Sequence, residues 1–329
     1  MRRRKFITLL GSAAAASCGS WPLTALAQQA AKVHRIGYLA VAGGAAQASR
    51  TKALREGLAS LGYVEGKNLV IEERSPRSSS DRLADLASQL VNLRPDVIVT
   101  HGPGVIAAKA ATSTIPVVMG QTGDAVANGL VASLARPGGN VTGMSYFGPE
   151  LAAKRLELVK EVVPGLARAG TLINPDNPLR VPFLSAMKRT ADILKIEVVE
   201  FAVREPADLE AAFAAMAGKP VGAFIMIEEP ILIFNTETCA NLALKHRLPA
   251  CGVVELAQAG GFIGYGVDVP EMWRRAATFV DKILKGAKPA DLPVEQPTKF
   301  LTAVNLRTAK TIGIDIPTSL LVRADEVIE

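Results

Sequence analysis

DVIVTHGPGVIAAKAATSTIPVVMGQTGD, residues 96–124, carries the pattern from which the fold is read. Asp96–Thr100 is an apolar, β-branched run of the kind found in strands buried on both faces. His101-Gly102-Pro103-Gly104 breaks that run, a short helix holding Lys109 follows, and Pro116–Met119 is a second apolar run. It ends in Gly120-Gln121-Thr122-Gly123-Asp124. Strand, polar tip, helix, strand and polar tip spell a βαβ unit with parallel strands.

The same rhythm extends in both directions. Upstream, Arg35–Leu39 and Leu69–Glu72 read as strands, with helices over 48–60 and Asp81–Leu93. Downstream, Asn140–Ser145 is a strand, entered through the Pro137-Gly138-Gly139 turn. The alternation then restarts: strands over Gly170–Ile173, Glu197–Phe201, Ala223–Ile227, Pro249–Cys251 and Phe262–Tyr265, with helices over Glu150–Val163, Pro182–Leu194, Ala207–Ala217 and Ile233–His246. Pro270–Leu284 reads as a further helix, followed by a strand at Lys299–Val304 and a short helix at Leu306–Ile312. One sheet of so many strands would twist unmanageably, so the pattern predicts an α/β fold of two doubly wound, Rossmann-like lobes. A cleft between them would lie at the C-terminal ends of the strands, where open α/β sheets bind ligands.

The N-terminus reads as an export signal. Arg2, Arg3, Arg4 and Lys5 precede an apolar run, and Ala25-Leu26-Ala27 offers a cleavage site, so residues 1–27 read as a leader. Arg3-Arg4-Lys5-Phe6-Ile7 suggests the twin-arginine route and a periplasmic destination. Cys18 leaves lipoprotein anchoring open, although Ala15-Ala16-Ser17 is a poor lipobox. The whole chain carries 37 basic and 31 acidic residues, +6, but four of the basic ones lie in the leader, leaving +2. A surplus that small argues against nucleic acid as a partner. Cys239 and Cys251 remain after the leader and read as two buried thiols rather than a bridge.

The strand tips hold the candidate binding residues: His101 and Gly102; Gln121, Thr122 and Asp124; Asn174; Glu229; and Glu255. Amides, hydroxyls, carboxylates and loop N–H groups suit a small polar ligand, though the same residue types also cap helices and close turns. Glu228 and Glu229 are adjacent, and alternation in an extended segment would send only one of them into the cleft. Catalytic signals are weak. His101 has no nucleophile tied to it by a motif, three scattered histidines make no metal set, and no nucleotide fingerprint is complete, so no cofactor is implied.

LGYVEGKNLVIE (61–72), GLVASLARPGGNVTG (129–143), ELAAKRLELVKEVVP (150–164), RRAATFVDKILKGAKPADLPVEQPTKF (274–300) and IPTSLLVRADEVIE (316–329) resemble the periplasmic solute-binding proteins of ABC transporters, in the TrpX-like group. The resemblance implies a type I periplasmic-binding-protein fold whose lobes are joined by three crossings, near 143–147, 265–268 and 298–304. It implies lobe 1 over 28–145, lobe 2 over 146–267, a return to lobe 1 over 268–297, and a C-terminal segment, 298–329, mainly in lobe 2.

Asp124 and Asn174 match family positions, but Ala125 replaces a proline, and His101-Gly102-Pro103 stands for Gly-Thr-Pro. Glu228-Glu229-Pro230 stands for Pro-Asp-Pro, and Cys251–Glu255 lacks the usual aromatic. With aromatic side chains scarce at the tips, the expected solute is small and polar or amino-acid-like rather than a stacked aromatic one. Function then follows by resemblance: a non-enzymatic, monomeric binding protein that delivers its solute to a permease and ATPase complex in the inner membrane. A sensor subunit for a membrane receptor, or an exported α/β enzyme, are the alternatives.

Overall fold

The computed structural model describes residues 32–41, 45–76, 82–177, 180–219 and 221–329, and residues 33–329 form one compact unit. The leader, Cys18 and Asp81, the expected first residue of the second helix, lie outside the described residues.

The first lobe contains β1 (His34–Leu39), α1 (Ala45–Ser60), β2 (Leu69–Arg74), α2 (Leu83–Asn92), β3 (Val97–His101), α3 (Pro103–Ala111), β4 (Val117–Gly123) and β5 (Val141–Tyr146). The strands pair in parallel in the order β2-β1-β3-β4-β5. Val97, Ile98, Val99, Val117, Val118 and Met119 are fully buried, as expected for strands covered on both faces.

The chain enters the second lobe through α4 (Gly148–Val162), then forms β6 (Arg168–Ile173), α5 (Arg180–Leu194), β7 (Glu197–Ala202), α6 (Asp208–Ala217) and β8 (Ala223–Ile225). α7 (Pro230–Phe234), α8 (Thr236–Lys245), β9 (Ala250–Gly252), α9 (Val254–Gln258) and β10 (Ile263–Val267) follow. α10 (Val269–Leu284) returns to the first lobe, packing on α1, β4 and β5 through Met272, Trp273, Ala276 and Val280. Residues 292–295 stay with β5: Thr142 Oγ1 donates to the Leu292 carbonyl, and Met144 bridges Glu295. β11 (Phe300–Asn305), α11 (Leu306–Ile312), α12 (Thr318–Arg323) and β12 (Glu326–Ile328) close the chain.

The second sheet runs β12-β11-β10-β9-β8-β6-β7. β11 is antiparallel to β10, because the chain comes back from the first lobe heading the opposite way. In both sheets the order reverses at one point, between β1 and β3 and between β6 and β8. These switch points open a crevice at the strand C-termini. The chain passes between sheets at 146–148, 267–269 and 296–300. Tyr265 packs against the cores of both lobes.

Several expectations need correction. The helix expected over Ile233–His246 breaks at Asn235, whose Nδ2 donates to the Ile231 carbonyl and separates α7 from α8. β8 ends at Ile225, so 226–229 is not extended strand. The short elements α9, α12 and β12 were absent from the sequence reading. The expectation for the two cysteines, by contrast, holds: Cys239 and Cys251 are both buried and unbridged.

Candidate solute-binding cleft

At the end of β3 the chain turns through Gly102, whose φ of 47° favours glycine, and its N–H donates to the Gln121 carbonyl. α3 starts there without a side-chain cap; Pro103 has no N–H and Val105 N–H donates to the Gly102 carbonyl, so the Gly104 N–H and the positive end of the helix remain for an acceptor. His101 is buried, with its ring edge-on to Trp273 at 5.7 Å. Trp273 lies close over Gly120, where an added Cβ would sit 2.8 Å from the indole. Burial first, and then the Arg50 charge, push the His101 pKa down to about 3. The ring is therefore neutral at physiological pH, a wall of the site rather than a proton carrier.

The β4 tip supplies three more predicted residues. Thr122 is buried, and its hydroxyl has no hydrogen-bond partner among the described residues. Gln121 Oε1 lies 3.4 Å from Arg50 Nε. Asp124 Oδ1 accepts from the N–H groups of Val126 and Ala127, both at 3.0 Å, so half of this carboxylate closes a turn.

On the second lobe, Asn174 Oδ1 accepts from the Asp176 N–H at 3.0 Å, again a turn. Glu229 is 4% exposed and accepts from Asn177 Nδ2 at 2.8 Å. Burial raises its pKa, opposed by the bonds from Asn177 and the Ile231 N–H. Glu255 is half-buried in the first turn of α9.

Both adjacent glutamates are inward, contrary to the alternation argument, because the segment after β8 is not extended. Glu228 Oε1 accepts from Arg155 Nη2 at 2.7 Å, and the Arg155 side chain is fully buried. Arg155 also donates from Nε to the Tyr265 carbonyl and from Nη1 to the Met226 carbonyl. One guanidinium thus ties α4, β10 and the glutamate loop together. Leu151, Arg155, Leu158 and Val162 share the buried face of α4, so a charge on an apolar stripe was the signal that could have found this pair.

Sequence reasoning also missed Arg50, Asn177 and the aromatic side chains at the crossings. Tyr146 is half-buried at the end of β5, Phe147 is 38% exposed, and Tyr265 stacks on Phe300 at 6.1 Å. The scarcity of aromatics at the tips was therefore a scarcity at the tips alone. Burial and the Glu228 charge push the Tyr146 phenol well above its usual range.

Two concavities are lined by none of the predicted site residues: an open groove of about 610 Å³ between α1 and the end of β2, and one of about 160 Å³ beside Asp268 and Lys299 at the crossings. The groove is edged by Lys52, Arg55, Glu56 and Glu73, whose charges cancel. No group of three or more metal-ligating side chains occurs among the described residues.

The chain is 25% identical over 266 residues to the tyrosine-binding protein of Clostridioides difficile (strain R20291), covering 80% of this chain and 76% of that one. A structure of a conserved domain protein from Vibrio cholerae superposes with a TM-score of 0.83 at 28% identity, covering 90% of this chain and all of that one. The ABC domain from Streptococcus pneumoniae in complex with L-Trp gives the same TM-score at 26% identity and the same coverage. The fold and family are those of small-solute-binding proteins that serve ABC transporters outside the cytoplasm, rather than those of enzymes. The ABC transporter substrate binding protein model matches residues 35–328, and the chain belongs to that family.

Proposed function

We propose that this protein captures an amino-acid-like zwitterion in the interlobe cleft and hands it to the permease and ATPase of an importer in the inner membrane. One observation carries the reading: the cleft walls are oppositely charged. Arg50 and the uncapped α3 N-terminus face it from the first lobe, and Glu229 and Glu255 from the second. A zwitterion spanning the cleft satisfies both walls and favours the closed arrangement by the contacts it makes there.

In this reading, the solute carboxylate meets the positive end of α3 and the Gly104 N–H, beside His101 and Gly102, with Gln121 and Thr122 as hydrogen-bonding neighbours. Glu229 takes the ammonium, assisted by Asn174 and Glu255, while Asp124 on the first lobe closes its own turn. The relatives named for tyrosine binding and solved with L-Trp support an amino acid as the ligand class. The protein would be exported as a monomer, through a twin-arginine leader cleaved after Ala27. Its lobes would divide as 28–145 and 146–267, with 268–297 returning to the first and 298–329 belonging mainly to the second.

A thermal-shift screen against amino acids, small carboxylates, purines and sugars tests this. A ligand at about 100 times its dissociation constant adds about 2.7 kcal/mol of stability. A shift given by amino acids supports the reading, whereas a shift given only by purines or sugars refutes it.

A further inference from the structure

We infer that Tyr146 and Arg50 together form the receptor for the solute's carboxylate. The inference rests on the amino-acid reading, adds Tyr146 to it, and gives Arg50, named there only as a charge on the wall, a direct contact with the carboxylate. Tyr146 ends β5 at the first crossing, in register beside Gly123 of β4. Two residues earlier on β4, Gln121 Oε1 lies 3.4 Å from Arg50 Nε. Phenol and guanidinium therefore flank the same strand tip.

Both groups have capacity to spare. Tyr146 is half-buried, and its hydroxyl makes no hydrogen bond among the described residues. Arg50 forms no ion pair among the described residues, and Gln121 is its one polar side-chain contact there. The phenol lies where the walls meet: Glu228, Arg155 and Glu255 of the second lobe and Arg50 of the first all act on it. Arg155 and Glu228 neutralise one another, so the surplus charges acting on the phenol are Glu255 of the second lobe and Arg50 of the first. Burial keeps the phenol protonated, hence a donor.

A guanidinium beside a neutral O–H donor is suited to an anionic oxygen. The cation supplies charge, and the hydroxyl adds a directional, charge-assisted bond that a carboxamide would receive only weakly. With His101 neutral, Arg50 is the cation that supplies this charge at the first-lobe wall.

The test is calorimetric titration of the purified protein with the twenty L-amino acids, then with the tightest binder and its carboxamide. Wild type, Tyr146→Phe and Arg50→Gln are compared. Tyr146→Phe should weaken the acid about tenfold and the amide less than about threefold, collapsing the preference for the acid. Arg50→Gln should collapse it further, and the unliganded melting temperature of both variants should stay within about 2 °C of wild type. An acid-to-amide ratio unchanged in both variants overturns the inference while leaving the amino-acid reading standing. A wild type that binds no amino acid overturns that reading and the inference with it.

Discussion

The two walls of the cleft solve the same topological problem with different chemistry. On the first lobe, the tips after β3 and β4 are built from glycines, amides and hydroxyls around a neutral histidine, with a carboxylate, Asp124, engaged in its own turn and one guanidinium reaching in from α1. On the second, the tip after β8 carries two buried carboxylates, one neutralised by Arg155 and one held by the amide of Asn177. The first wall positions backbone donors cheaply, through turns. The second buries charge, which is tolerable only with partners in place. A solute that joins them must therefore present an anionic end to one and a cationic end to the other.

The contrast can be broken most forcibly at Arg155. We predict that Arg155→Met lowers stability by about 3–5 kcal/mol, because it strands a buried carboxylate. Arg155→Met combined with Glu228→Met should recover much of that loss, since both charges go together. Chemical denaturation of the three variants reads this. Equal stability of the single and double variants would show that the pair is not coupled.

His101 gives the next largest effect. Its folded pKa lies below its unfolded value, so acid favours the unfolded chain between roughly pH 6.5 and 3. Stability should fall by about 1.4 kcal/mol per pH unit within that window from this group alone. A His101→Phe variant should show a shallower loss over pH 6 to 4, and an unchanged slope would contradict the burial argument.

Glu229→Gln should weaken the bound amino acid by roughly tenfold or more, as expected when one partner of a desolvated charge pair is removed. Asp124→Asn is the smallest. Asparagine closes the same turn, so the melting temperature should hold within about 1 °C and affinity should change less than about threefold. A loss as large as that of Glu229→Gln would make Asp124 the principal charge partner instead.

How much of this was legible in the chain depended on the range over which each signal acts. β3 and β4 could be read because Val97–Val99 and Val117–Met119 are uninterrupted buried runs. α9, α12 and β12 could not, because elements of three to six residues complete no clear period. The tips were legible through topology, yet what each side chain does there was not. Asp124 and Asn174 spend oxygens on their own backbone turns, a choice composition leaves open. Arg155 announced itself as a charge on an apolar helical face, whereas Arg50 did not, since it meets a glutamine 71 residues away. The aromatic side chains were overlooked because they lie at the crossings, where the chain leaves one sheet for the other.

The central claim is that one solute spans two oppositely charged walls. Calorimetric titration of the purified protein with its best amino acid, with the des-amino acid and with the decarboxylated amine tests it most directly. Loss of either charged end should cost about 100-fold or more in affinity, consistent with a hydrogen-bonded charge contact on each wall. Retention of full affinity by either analogue would contradict a solute held by charge from both sides.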